Sequence, residues 1–536
     1  MVVDLSDVAP FLTWLPSALL EWMLVVACLA VGITVVAWII TALLHGPVSA
    51  MRKIGRVLRD AVGDLIHISP RRVCALARLA IKESIRRRVV VVFVVFVLIL
   101  LFAGWFLDLK SLDPARLYLN FVLTATSYLV LLLALFLSSL SLPADIKNRT
   151  LQTVATKPVR ASEIVLGRIV GFTAVATFLL VLMGLVSYVF VERGIAYIER
   201  TREDLPPDRE MLLARVPVYG KLVFQDRKGE PIKGVNVGDE WTYRSYVAGG
   251  TLASAVWTFQ NVSEEAFPDG LPVEMTLGIF RTHKGEIEKG VPGSLSVRNP
   301  KTGETVEVRI FEGKEFTTDV QNIPRELQTP EGKKLDLFKD IVSDGQVEVL
   351  LQCAAPGQYF GVAQADLYLR ARDASFPLNF TKGYIGIWLQ TLLVVSLGVM
   401  YSTFLSGPVA MLATLGTLLG GFFHDFMFRL ATGQTYGGGP FESVIRILTQ
   451  QNVTSEPEDS LRSTVAQTLD QAAEFGLRML AAILPDFGRF SFSEFVASGF
   501  NIPGDTLLTY TCRAFGFVLP VFVAGYLCLK NRELAQ

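Results

Sequence analysis

The chain has 536 residues, of which 51% are hydrophobic and only 19% charged, with equal numbers of basic and acidic side chains and a mean hydropathy of +0.43. That balance is too apolar for a soluble protein of several domains, and zero net charge gives no overall attraction to a polyanion. No nucleic-acid motif or aromatic-basic platform stands out, so no nucleic-acid partner is expected. The five cysteines (Cys28, Cys74, Cys353, Cys512, Cys528) lack CxxC spacing, and only Cys353 lies in a polar stretch, so neither a zinc site nor a disulfide framework is supported.

A hydrocarbon layer about 30 Å thick needs roughly 20 apolar residues as a helix, because no water is present there to satisfy the backbone. Seven stretches qualify: 19–44, 89–107, 117–142, 164–191, 384–405, 408–428 and 507–529. The first is flanked by Asp4 and Asp7 and is too long for a signal peptide, so residues 1–45 read as a retained, additional helix. Residues 46–88 form a basic segment. Within it Val73, Leu76, Ala77, Ala80, Ile81 and Ile85 recur at helical spacing while Arg78, Lys82 and Arg86 take the other face, which predicts an amphipathic helix lying at the membrane surface. Positive charge in this segment, in the loop 143–163 and in the tail after 529 predicts that all three are cytoplasmic, with the N-terminus outside and the C-terminus inside.

Residues 89–192 therefore hold membrane helices joined by the loop 143–163. Residues 193–382 change character, becoming polar, rich in Gly and Pro, and alternating. In 305–310, Val306, Val308 and Ile310 alternate with Glu307 and Arg309; 346–350 and 365–370 behave similarly, and 241–247 and 255–262 are aromatic strand candidates. Lys228-Gly229, Thr302-Gly303 and Asp344-Gly345 are turn signals, so an antiparallel, sandwich-like β domain on the outer side is expected. Two further helices fill 383–429. Residues 430–506 are outside or re-entrant, with Leu461, Val465, Leu469, Ala472, Gly476 and Leu480 on one helical stripe. The last helix and cytoplasmic tail occupy 507–536. The fold class is thus an α-helical polytopic membrane protein of about seven transmembrane helices with an inserted all-β extracytoplasmic domain.

No Gly-rich phosphate loop ending in Lys-Ser/Thr occurs, and HExxH, GxSxG and His/Cys/carboxylate clusters are absent from the sequence, so no catalytic and no metal-binding residue is assigned. An enzyme reading would have to start at His424-Asp425, which solvation near the membrane edge explains better. The sequons at Asn261, Asn379 and Asn452 fall in segments expected outside.

The loop region SLPADIKNRTLQTVATKPVRASEIVLGRIVGF reads as two short charged helical pieces, 141–151 and 161–167, broken at Pro158, which disfavours helix at Lys157. Its order of Asp145, Thr150-Leu151, Lys157-Pro158 and Gly167-Arg168 between two spans resembles the signature of ABC-2-type transporter permeases. Residues 78–88 resemble that family's amphipathic helix, and LPDFGRF with a last span ending in LKNREL resembles its C-terminal end. Arg149 stands where the family usually has Gly, and Asp145 where it has Glu. The resemblance implies two paired permease cores, a second copy or a paralogue, in a bacterial cell (inner) membrane. It implies export driven by a separate cytoplasmic ATPase that binds ATP and Mg, this chain holding no cofactor. Asp145, Arg149, Thr150, Leu151, Lys157, Pro158, Arg160, Glu163, Gly167 and Arg168 would form the docking loop. The competing readings are a membrane-anchored scaffold or receptor whose β domain binds a ligand or envelope partner, and a channel or secondary transporter.

Overall fold

The computed structural model describes residues 10–86, 89–103, 107, 114–147, 159–201, 212–235, 244–282, 289–315, 317–329, 332–432, 439–450 and 461–531. The chain divides into two compact units, one containing Leu212–Phe376 and Gly499–Asn501 and the other made of helices.

The helical unit runs through α1 (Phe11–His45), α2 (Pro47–Ile66), α3 (Pro70–Arg86), α4 (Val90–Ala103), α5 (Pro114–Lys147) and α6 (Ala161–Thr201). It resumes with α7 (Phe376–Phe404), α8 (Gly407–Phe422), α9 (His424–Ala431), α10 (Pro440–Thr449), α11 (Leu461–Ile483), the short α12 (Ser493–Ala497) and α13 (Gly504–Asn531). Among the described residues, five of these helices are long and apolar enough to cross a membrane: α1, α5, α6, α7 and α13. A sixth crossing arises only if α8 and α9, bent by 63°, count as one broken span. The expected seven are therefore not reached. The run at 89–107 yields a helix of 14 residues, about 21 Å long at 1.5 Å per residue. The run at 408–428 bends because the Gly421 carbonyl accepts the Phe487 N–H at 3.1 Å and the Phe487 ring packs where a Gly421 side chain would stand.

α7 is the hub of this unit, with 83% of its most apolar window buried, whereas the same measure for α1 is 0%. Polar side chains stitch the hub to its neighbours. Tyr384 donates to Ser187 of α6 (2.7 Å) and meets Thr126 of α5 (3.2 Å), and Gln390 donates to the Phe487 carbonyl (2.8 Å). Ser139 of α5 meets Thr414 of α8 at 3.2 Å. In LPDFGRF, Phe487 and Phe490 are buried, and Phe492 just beyond it is buried too, covering Gly386 of α7.

The basic helix α3 also departs from the expectation of a helix resting on lipid. Arg78, Lys82 and Arg86 are exposed as predicted, but the opposite face, Val73, Ala77, Ala80 and Ser84, is buried against α6. Small residues permit the approach: a Cβ on Gly167 would lie 2.6 Å from the Leu76 Cβ, and one on Gly171 2.8 Å from the Ala77 carbonyl oxygen. Ile85, expected on the inner stripe, is 61% exposed. In α11 the expected stripe likewise faces outward at Val465, Leu469 and Leu480, while Asp470 and Ala481 are buried. The Asp470 carboxylate accepts the Phe441 and Glu442 N–H groups (both 2.8 Å), capping the N-terminus of α10.

The β unit is antiparallel in its named strands. A six-stranded sheet is ordered Pro231–Ile232, Lys221–Gln225, Ser254–Phe259, Val347–Cys353, Val291–Arg298, Thr305–Gly313. A four-stranded sheet is ordered Pro217–Tyr219, Leu367–Arg370, Gly270–Thr276, Thr318–Pro324, and a three-stranded one joins Ser245–Ala248, Gln358–Val362 and Gly278–Arg281. A single buried cluster draws Trp257, Phe259, Leu295 and Val349 from the first with Leu271, Val273, Ile323 and Leu369 from the second, as two sheets packed face to face require. The predicted turns hold: Gly229, Gly303 and the pair Asp344-Gly345 all have positive φ. The alternation predicted for 305–310 breaks midway. Leu295 faces Arg309 and Ser296 faces Glu307, so Val308 is an extra residue in a bulge, and Ile310 turns outward while Phe311 turns in. The incoming and outgoing chains of the unit pair with each other, Pro217 opposite Arg370, with Ala371 N–H on the Val216 carbonyl (3.0 Å) and Ala374 N–H on that of Ala214 (2.8 Å).

All five cysteines are free. Of the sequons, Asn379 is fully buried and accepts the Ile502 N–H at 2.9 Å, so it is no acceptor for a glycan; Asn452 lies outside the described residues.

A leucine at Gly171 would force α3 off α6, and overpacking of this kind costs about 1–3 kcal/mol. Gly171→Leu is expected to lower the thermal unfolding midpoint of the detergent-solubilised protein. Gly32→Ala, with open space around its new methyl, is expected to leave the midpoint unchanged or raise it.

Candidate functional site

The sequence-selected loop residues fall into two groups. Arg149, Thr150, Leu151, Lys157 and Pro158 lie outside the described residues. Asp145, Arg160, Glu163, Gly167 and Arg168 are described, and all five sit where the end of α5 and the start of α6 meet α2, α3 and α13.

The start of α6 is set by Glu163. As the third residue of the helix it reaches back to the N–H of Arg160 (3.1 Å), the half of a capping box that closes the first turn. Its other oxygen accepts the N–H of Ser69, just before α3, at 2.9 Å and the Arg72 guanidinium at 2.9 Å. The side chain is 0% exposed. It is therefore an interior staple between α3 and α6, with no surface to offer a docked protein.

Arg160 completes the same corner by donating to the His67 carbonyl at 2.7 Å and pairing with Asp64 of α2 at 3.5 Å. Asp64 also accepts from Lys530 and from Tyr526 of α13, both at 2.8 Å. Burial acts to raise the Asp64 carboxyl, but hydrogen bonds from Lys530 and Tyr526 and the charges of Lys530 and Arg160 outweigh it and hold the group below its ordinary value.

One step further along α6, Arg168 is buried and bonded to Asp145 and Ser141 of α5, with Glu83 of α3 at 3.5 Å. Ser141 in turn donates to Glu83 at 3.0 Å. α5 does not stop at its proline: it continues through Pro143 to Lys147, so the expected separate piece 141–151 begins as the last turns of α5. Lys147 is exposed.

The result is a lattice of buried and half-buried charges that joins five helices at one end of the unit. Sequence reasoning found Asp145, Arg160, Glu163 and Arg168 and missed Asp64, Arg72, Glu83, Tyr526 and Lys530. The available signal was the scarcity of acids, only Asp60, Asp64 and Glu83, within the strongly basic stretch 46–88, though it does not separate Asp64 from the exposed Asp60. His424 and Asp425 do not form a pair with each other: His424 contacts the Ala481 carbonyl (2.9 Å) and Asp486 (3.4 Å), and Asp425 pairs with Arg429 (2.5 Å). Among the described residues no group of His, Cys, Asp and Glu is placed to hold a metal ion. Comparison with protein-family models, with curated proteins and with solved structures returned no match.

Two outcomes follow for this lattice. Glu163→Ala leaves the Ser69 and Arg160 N–H groups without their acceptor, and an orphaned buried donor costs about 1–3 kcal/mol; chemical unfolding in detergent should show a loss of at least that size, with Glu163→Gln milder. Asp64 has its folded value lowered, so its stabilisation is complete above the ordinary value of 3.8 and is lost as pH falls through the lowered one. Asp64→Asn should therefore be less stable than wild type at pH 7, and the gap should start to close as pH falls below about 4 and vanish only below the lowered value.

Proposed function

We propose that this chain is the membrane-spanning subunit of a transporter driven by a separate cytoplasmic ATP-binding-cassette ATPase, paired in the membrane with a second copy or a paralogue. The observation that carries the reading is mechanical. The segment 148–158 joins α5 to α6, and the ends of both helices are fixed by charge to α2, α3 and α13. A push on that segment would move five helix ends together, which is what coupling a soluble motor to a membrane path demands.

The same arrangement supports the expected sidedness. The basic helices α2 and α3, the junction of α5 with α6, and Lys530 converge at one end of the helical unit. Their excess of Lys and Arg favours the cytoplasmic side for that end. The chain itself performs no ATP chemistry; ATP and Mg belong to the partner. With Glu163 and Arg168 turned inward, the docking contacts fall to Lys147, Arg149, Thr150 and Lys157, and Asp145 acts by holding Arg168. The transported substance would leave toward the outside.

The test is affinity purification of the solubilised full-length protein, wild type against Lys147→Glu/Arg149→Glu/Lys157→Glu, a variant that spares every buried lattice residue. Wild type should bring down a nucleotide-hydrolysing partner that the triple variant loses. If the dimer is preserved and no ATPase accompanies wild type, the coupling reading fails and the β unit becomes the functional element of a membrane-anchored receptor or scaffold.

A further inference from the structure

α6 and α7 do not pack uniformly along their length. Between residues 177–188 of α6 and 377–388 of α7 they part to leave an elongated groove of about 530 Å3, within the range of ligand sites generally. Its floor is closed by a hydrogen bond from Trp388 Nε1 to Thr177 Oγ1 at 2.8 Å. Its back wall is the Tyr384 ring, held in place by hydroxyl contacts to Ser187 and Thr126. Gly184 leaves the space in front of that ring open, since a Cβ there would stand 3.3 Å from it. Val181, 59% exposed, lines the side of the groove.

Two features say what fills it. The groove lies between two helices that are long and apolar enough to cross a bilayer, and its lining is mostly apolar, so a hydrocarbon chain is the occupant that suits it. The stretch of α7 that lines it rises by about 16 Å, close to the roughly 15 Å depth of one leaflet's share of the apolar core. Its lining sits in the half of both helices away from the charge lattice, because 377–388 opens α7 and 177–188 lies far beyond Glu163 and Arg168.

We infer that the α6–α7 groove is a binding site for one acyl chain of a phospholipid in the leaflet opposite the charge lattice. The chain lies along Tyr384 with its end against the Trp388–Thr177 bond, and the headgroup stays at the Tyr188 end. Held there, the lipid fills a gap beside the hub helix that protein side chains leave open. The site needs α6 and α7 to cross a bilayer but does not need an ATPase, so it stands or falls separately from the coupling proposal.

The experiment is photolabelling of the full-length protein in vesicles containing phosphatidylcholine with a diazirine midway along one acyl chain, followed by peptide mapping. Peptides covering 177–188 and 377–388 should be labelled several-fold more than those of α1, whose most apolar window is 0% buried and which supplies the background. Val181→Trp, and independently Leu185→Phe, should reduce the groove labelling several-fold, with α1 labelling and the thermal midpoint unchanged. Groove labelling equal to that of α1, or unaffected by both variants, would sink the assignment. Labelling by a diazirine fatty acid alone would also overturn it, as would cross-links across 177–188 between two copies of the chain.

Discussion

A guanidinium about two turns inside a long apolar helix has to find partners, because an unpaired charge in a low-dielectric interior is too costly to keep. Arg168 has Asp145, Ser141 and Glu83. Satisfying it brings α5 and α3 to the flank of α6, and that proximity lets Gly167 and Gly171 of α6 take the Ala77–Ala80 face of α3 at backbone distance. Once α3 lies there, Glu163 can staple its start, and Asp64 of α2 can reach Arg160 and Lys530. The corner is built outward from one buried positive charge.

The middle of the helical unit follows a different rule. There the polar contacts are neutral hydroxyls and one amide: Tyr384 with Ser187 and Thr126, Ser139 with Thr414, and Gln390 with the Phe487 carbonyl. Such bonds hold helices where apolar surface gives no preference between protein and lipid. The Gln390 bond also explains how irregular backbone survives beside long apolar helices. The segment around Phe487 spends its carbonyl on Gln390 and its N–H on Gly421, leaving neither unsatisfied.

Much of this was legible in the residues. Apolar run length located α1, α5, α6, α7 and α13, and turn chemistry at Lys228-Gly229, Thr302-Gly303 and Asp344-Gly345 located the hairpins of the β unit. The failures are also physical. Run length cannot see the tertiary hydrogen bond that bends α8 away from α9, and period counting cannot see the extra Val308 that inverts the strand face between Ile310 and Phe311. In α3, amphipathic spacing identified the face that packs, Val73, Ala77 and Ala80, but not that α6 covers it; in α11 it identified the helix but not the face, because one carboxylate, Asp470, decides that face. For the charge lattice, the loop residues were identifiable from their place between two spans. Their partners Asp64, Arg72 and Lys530 were not, since they lie far away in sequence and meet only after the helices assemble.

The pairing of the incoming and outgoing chains of the β unit carries one more consequence. Because Ala214 and Ala374 lie side by side, the two ends of the stretch between them meet at nearly one point, where Gly499–Asn501 joins them through hydrogen bonds to Arg215. Topologically it is a pendant, closed upon itself by its own first and last strands. Its loops away from that junction can change in length without altering the spacing that the helices on either side must keep. Change in those loops is thereby uncoupled from the packing of the helical unit.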